Sequence, residues 1–272
     1  GTASGHGWHR CDMDRARLAA VSPWRGKRPD RPGILRARLA IPVQWPETCG
    51  SGRLYPESLP HVDIIVISHA HYDHLDMPSL RRLAVEQPDI RVIVPLGLAH
   101  YVRRAGFTDV TEIDWWQTDQ RDGVDVTATP VRHWASRTPF DRNRTLWAGF
   151  MITFRDGYRF YFAGDKGYSA DFTATRERLG APDFAAIPIG AYEPRDFMRE
   201  SHCTPEEAVQ IFRDLDAGSA VAVHWGTFKL TLEPLAEPPV RLRAALAEAG
   251  IAERRFRALT HGARWNLGQS GN

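Results

Sequence analysis

The chain is expected to fold as an α/β sandwich built in layers. Short β-branched runs alternate with helical segments along most of its length, and one antiparallel hairpin signal lies among them. Its 272 residues, 43% hydrophobic and 25% charged, supply enough apolar material for one sizeable core.

Residues 1–60 carry Pro at 23, 29, 32, 42, 46, 56 and 60 and little periodicity, so they read as loops and short segments. The folded domain is expected over 61–268. Val62 to Ser68 is a β-branched run typical of a buried strand, and Pro78 to Gln87 reads as a helix. Asp89 to Pro95 is a second strand, followed by a helix from Leu98 to Ala105 that stops at Gly106. Val124 to Thr129 alternates as a strand does. Leu146 to Phe154 and Tyr158 to Ala163 flank Asp156 and Gly157, a hairpin signal. Ala185 to Ile189 and Ala220 to His224 are further strands. Thr204 to Leu215 opens on Thr-Pro-Glu-Glu, with Thr204 as cap, Pro205 in the first turn and two acids at the positive end of the helix. Pro239 to Ala249 is a helix ended by Gly250.

Charge and cysteine content narrow the function classes. A net charge of +2 is too small to argue for nucleic acid. Residues 1–53 hold ten Arg or Lys against four Asp or Glu, which reads as a solvated tail, with contact to anionic lipid or nucleic acid as the alternative. Cys11, Cys49 and Cys203 have no close spacing, which argues against a disulfide framework and for a reducing compartment. No run approaches the ~20 apolar residues of a membrane span, and the expectation is a soluble, cytoplasmic protein.

The chemistry concentrates in Ser68-His69-Ala70-His71-Tyr72-Asp73-His74-Leu75-Asp76, directly after a buried strand. Three imidazoles and two carboxylates in so short a run are hard to explain as packing, because each buried polar group left unpaired costs about 1–3 kcal/mol. A cation satisfies them together. Imidazole nitrogen and carboxylate oxygen suit Zn²⁺, and Fe or Mn also fit. A ligand-bearing helix would space its histidines four apart, whereas this spacing fits a loop that aims successive side chains at two ions. His133, Asp165 and His224 each follow a predicted strand and become credible partners by that placement.

HAHYDHLD resembles the signature of the metallo-β-lactamase superfamily, which implies a four-layer αββα sandwich. The segments VPLGL (94–98), EIDWW (112–116), FAGDKGY (162–168), AAIPIGAYEPRDFM (185–198), HCTPEEAV (202–209), HWGTF (224–228) and EPPVRL (237–242) are similar to the N-acyl-phosphatidylethanolamine-hydrolysing phospholipase D family and its bacterial relatives. That resemblance covers about residues 60–265. It implies a di-zinc phosphodiesterase acting on an N-acylated phospholipid or a small molecule of similar shape, contact with a membrane surface, and a homodimer. It places His69, His71 and His133 on a first metal, Asp73, His74 and His224 on a second, and Asp165 between them. A hydroxide shared by the two metals would attack phosphorus, Asp73 would orient it, and His202 would stabilise the phosphate or protonate the departing alkoxide. Tyr192, Glu193 and Arg195 are candidates for the substrate pocket, Arg195 with an ion pair to Glu193 or Asp196 as its equal alternative. Trp115 and Trp116 are candidates for acyl contact, with a core role favoured.

The family's opening hairpin, with its Trp-Leu-Gly-His-Ala-like stretch and Thr-Asp-Pro turn, has no counterpart in residues 1–60, so the first strands have either diverged beyond recognition or are missing. Two other readings stay open: a lactonase or β-lactamase-like hydrolase using the same metals, and a non-catalytic remnant of the fold.

Overall fold

A computed structural model describes residues 19–24, 36–40, 59–261, 263 and 265. Cys11, Cys49 and most of the basic stretch over 1–53 lie outside the described residues.

Two sheets face each other. The first has the order β2 (Arg36–Ala40), β1 (Ala19–Trp24), β3 (Ile64–Val66), β4 (Arg91–Pro95), β5 (Val110–Ile113). The second runs β12 (Phe256–Arg257), β11 (Ser219–Val223), β10 (Phe184–Pro188), β9 (Arg159–Phe162), β8 (Gly149–Phe154), β7 (Val124–Thr129), β6 (Thr118–Arg121). Side chains of alternate residues sort to opposite faces, as the pleat requires. Ile64 and Val66 of β3 meet Val126, Phe150, Phe162, Ala186 and Val221 in the space between the sheets. Ile65, Val92 and Val94 turn outward onto α1 (Met77–Glu86) and α2 (Ala99–Ala105) through Leu80, Leu83 and Val102. Ala185, Ile187 and Ala220 turn the other way, onto α3 (Asp171–Leu179), α5 (Pro205–Asp214) and α6 (Glu237–Glu248) through Phe172, Ile211, Phe212 and Leu246, with the four-residue α4 (Arg195–Met198) between α3 and α5 in the chain. The outcome is the expected αββα sandwich.

The element boundaries mostly follow the sequence signals. α2 ends at Gly106, whose φ of 121° is open to glycine alone. α5 begins with a complete capping box between Thr204 and Glu207. β8 and β9 pair across the Asp156-Gly157 turn. Two strands are shorter than expected. β3 spans only Ile64–Val66 and β8 begins only at Gly149, and Ala148 N donates to Ser68 O between residues that flank them.

The first strands are present. β1 and β2 pair antiparallel, and β1 runs antiparallel to β3, so the stretch read as loops and short segments completes one edge of the first sheet. The alternative in which they are missing is overturned. β6 and α3 gave no usable signal because one is an exposed polar edge strand and the other buries only Phe172 and Thr175. Among the described residues no helix is long and apolar enough to cross a membrane.

Candidate metal centre

The site gathers where strands of both sheets end. β9, β10 and β11 are mutually parallel, and β7 and β9 share a direction because each is antiparallel to β8. The loop after β3 delivers His69, His71, Asp73 and His74. The loops after β7, β9 and β11 deliver His133, Asp165 and His224. The β3 loop is a tight turn in which His74 N and Leu75 N both donate to His71 O, at 3.1 and 2.8 Å. Asp76 then caps α1 by accepting from Ser79 N. His224, the residue after β11, sits at φ 59°, a left-handed conformation uncommon for a residue with a side chain.

Two groups of donors result. In the first, His69 Nε2 lies 2.8 Å from His71 Nδ1, and His133 Nε2 lies 3.4 Å from the same atom. In the second, Asp165 Oδ2 lies 3.0 Å from His74 Nε2 and 2.8 Å from His224 Nε2, while Asp73 Oδ2 lies 3.4 Å from each of those nitrogens. Within each group the donor atoms all lie within 4.8 Å of one another. His133, Asp165 and His202 form a third such set, so Asp165 and His133 tie the two groups together.

The electrostatics of the groups differ. Burial pushes the pKa of His69 and His133 well below the ordinary value and that of His71 down to about 4, so three neutral imidazoles with available lone pairs face one point. Burial works against ionisation of Asp73 and Asp165 too, but the neighbouring imidazoles outweigh it and hold both well below the usual carboxylate range. His74 shows the reverse balance: burial would lower it, yet Asp165 and Asp73 raise it to about 9.

The donors fit a metal better than they fit each other. His71 Nε2, His74 Nε2, Asp165 Oδ1, His202 Nδ1 and both ring nitrogens of His224 are buried without a hydrogen-bond partner among the described residues. His74 Nε2 and His224 Nε2 are close enough to Asp165 to bond but are not aligned to do so. The buried, unpartnered His74 Nε2, Asp165 Oδ1 and His224 Nε2 belong to the second group, where a cation would satisfy them together once His74 gives up its proton.

Three supporting contacts lay outside the sequence reading. Ser68 Oγ stands 2.9 Å from His69 Nδ1 and 3.4 Å from His74 Nδ1, so one hydroxyl serves both groups. His133 Nδ1 lies 2.9 Å from Ser201 O, which sets its ring. Gly164 permits this crowding, since a Cβ there would stand 2.7 Å from Ser68 Cβ. Each serine neighbours a histidine in sequence, yet nothing local says which ring it meets.

His202 reaches the site, with Nδ1 4.0 Å from Asp165 Oδ2 and burial lowering its pKa to about 4. Tyr192 and Arg195 both have partners of their own. Tyr192 is buried, and its hydroxyl donates to Glu237. Arg195 spends its guanidinium on Glu207, through two bonds from Nη2, and on His202 O. Its alternative role in an ion pair is the one seen, with Glu207 and not with Glu193 or Asp196. Trp115 packs on the core between the sheets and donates to Trp147 O.

Comparison with known proteins agrees with this architecture. The model of the beta-lactamase superfamily domain matches residues 45–225. An N-acyl-phosphatidylethanolamine-hydrolyzing phospholipase D of Caenorhabditis elegans is 36% identical over 77% of this chain, which spans 62% of that protein's length. A metal-dependent hydrolase of Rubrobacter xylanophilus is 31% identical over 64% of this chain and 69% of its own. A solved metallo hydrolase from Ignicoccus hospitalis shares the fold at TM-score 0.56, with 22% identity, covering 74% of this chain and 77% of the other. With its matched domain, its sandwich and its seven converging donors, this chain belongs to the beta-lactamase superfamily.

Proposed function

We propose that this protein is a metal-dependent phosphodiesterase of the N-acyl-phosphatidylethanolamine phospholipase D type, holding two metal ions, preferably Zn²⁺. His69, His71 and His133 would hold one ion, and Asp73, His74 and His224 the other. The observation that carries the reading is Asp165. Its Oδ2 belongs to the second group, its Oδ1 is buried and unpaired, and the residue shares a donor set with His133 of the first group. A carboxylate so placed can bridge.

When bound, the metals supply Lewis acidity, lowering the pKa of water toward about 7 and neutralising charge on phosphate oxygens. The chain's own groups do the rest. Asp73, less buried than Asp165, orients the attacking water. The water oxygen bonds to phosphorus as the bond to the departing alkoxide breaks, and the proton that the water loses ends on the alkoxide oxygen. His202, neutral through burial, donates its N–H toward the phosphate or the leaving oxygen. The 36% identity to a protein named for N-acyl-phosphatidylethanolamine hydrolysis supports phosphorus as the electrophile.

With this reading go a phospholipid or similarly shaped small-molecule substrate, contact with a membrane surface, a homodimer and a cytoplasmic setting. The catalytic unit is residues 61–268, with β1 and β2 added at its sheet edge. The test is metal content measured beside turnover of N-acyl-phosphatidylethanolamine, a bis-aryl phosphodiester, a homoserine lactone and nitrocefin. Two metals per chain and preference for the diesters are expected. Preference for the lactone or nitrocefin would transfer the reading to carbonyl chemistry, and absence of metal or of any turnover would end it.

A further inference from the structure

A single arginine closes the histidine-rich loop from outside. Arg137 Nη1 carries two hydrogens and donates to Ala70 O at 2.7 Å and Leu75 O at 2.8 Å. Those carbonyls belong to the two buried apolar residues that flank His71, Asp73 and His74. The guanidinium lies 4.1 Å from the ring centre of Tyr72, within the loop, and 5.2 Å from that of Tyr101 on α2. The segment bearing Arg137 is itself anchored. Asp141 Oδ1 accepts from Ser136 Oγ, Arg137 N and Thr138 N, at 2.7, 2.9 and 2.8 Å.

We propose that Arg137 is a positioning residue for the metal centre, acting through the carbonyls of Ala70 and Leu75 to fix the ends of the ligand loop. Its guanidinium bonds main-chain carbonyls of the loop and none of the donor atoms. A loop tied at both ends presents its donors in one arrangement before any ion arrives, whereas an untied loop must be ordered by the ion itself, which weakens binding. The planar guanidinium suits the task, since it can stack on Tyr72 while one nitrogen spans two carbonyls. The segment after His133 thereby supports the loop after β3, coupling the two sources of the first donor group. The inference rests on the reading of His69, His71, Asp73 and His74 as ligands.

The experiment uses the full chain. Zn²⁺ affinity is measured by chelator competition and the Co²⁺-loaded absorption spectrum is recorded for wild type, R137A, R137K and D141N, with melting curves of the metal-free proteins to verify folding. R137A should bind Zn²⁺ about 10–100-fold more weakly, the range for groups that orient ligands without being ligands. Its Co²⁺ bands should shift or broaden, and added methylguanidinium should restore both readouts in part. R137K should fall between it and wild type, and D141N should show the same shift to a smaller degree. Unchanged affinity and spectrum in folded R137A would overturn the inference. If R137A does not fold, the same null result in R137K and D141N would do so. Wild type that binds no Zn²⁺ or Co²⁺ would remove the ligand reading and this inference with it, whereas wild type that binds beside variants that bind equally well would remove the tie alone.

Discussion

The two donor groups sit side by side and are built on opposite electrostatic plans. The trio of His69, His71 and His133 is neutral, made so by burial. The quartet of Asp73, His74, Asp165 and His224 holds two carboxylates kept ionised by their histidines, with a proton retained on His74. A neutral trio offers lone pairs and no charge, so an ion bound there depends on what Asp165 contributes from next door. The quartet offers charge but must release a proton before His74 can bind. In the proposed two-metal reading Asp165 is therefore the joint between the two donor groups.

Removing that joint should have the largest effect. D165N is expected to abolish diester turnover, a loss beyond the about 100-fold that supporting groups cost, and to lower metal content; full activity with unchanged metal would separate the two groups functionally. H202A should come next. It is expected to reduce kcat by about 10²–10³-fold while leaving metal content at the wild-type value, because His202 Nδ1 stands 4.0 Å from Asp165 Oδ2 and lies outside the seven proposed ligands. Loss of metal in H202A would make it a ligand of the third donor set. S68A removes the hydroxyl shared by His69 and His74, and should weaken binding in both groups by about 10-fold, measured by chelator competition. A defect confined to one group would show that the hydroxyl serves only one ring.

Proton linkage should yield the smallest effect and the sharpest contrast. With His74 held at about 9, metal binding to the quartet releases a proton at pH 7, and its affinity should climb as the pH rises toward 9. The trio, already neutral at pH 7, should show little dependence there. Calorimetric titration in buffers of different ionisation enthalpy reads the proton directly. The metal-free fold should follow the opposite trend. The folded-state pKa of His74 lies above its ordinary 6.5, so the stability this proton contributes is whole below pH 6.5 and is lost as the pH rises through about 9. Melting temperature of the metal-free protein should fall over that window, and a flat profile would show that His74 does not hold the proton.

Legibility followed the range of the interactions. The 69–74 cluster was readable because its donors lie close in sequence and a tight turn after a buried strand forces them together. α2 and α5 were readable because Gly106 and the Thr204–Glu207 box act within a few residues. His133, Asp165 and His224 were credible from their places after strands, and resemblance supplied the order in which they group. β6 was not readable, since an exposed polar edge strand lacks the alternation that marks a buried one. Nor were β1 and β2, whose Pro-rich surroundings speak for loops while their pairing with β3 is decided across a long separation.

By itself the sequence determined the α/β layering, the cation-binding character of the β3 loop and the capped helices, because hydrophobic period, loop spacing and capping are local properties. The tertiary structure alone decided that Arg195 belongs to Glu207, that Tyr192 turns to Glu237, that Ser68 serves two rings and that Arg137 ties the ligand loop. Each of those is a contact between segments brought together by packing two sheets, and a hydrogen bond's partner is set by where the chain returns, which no local pattern encodes.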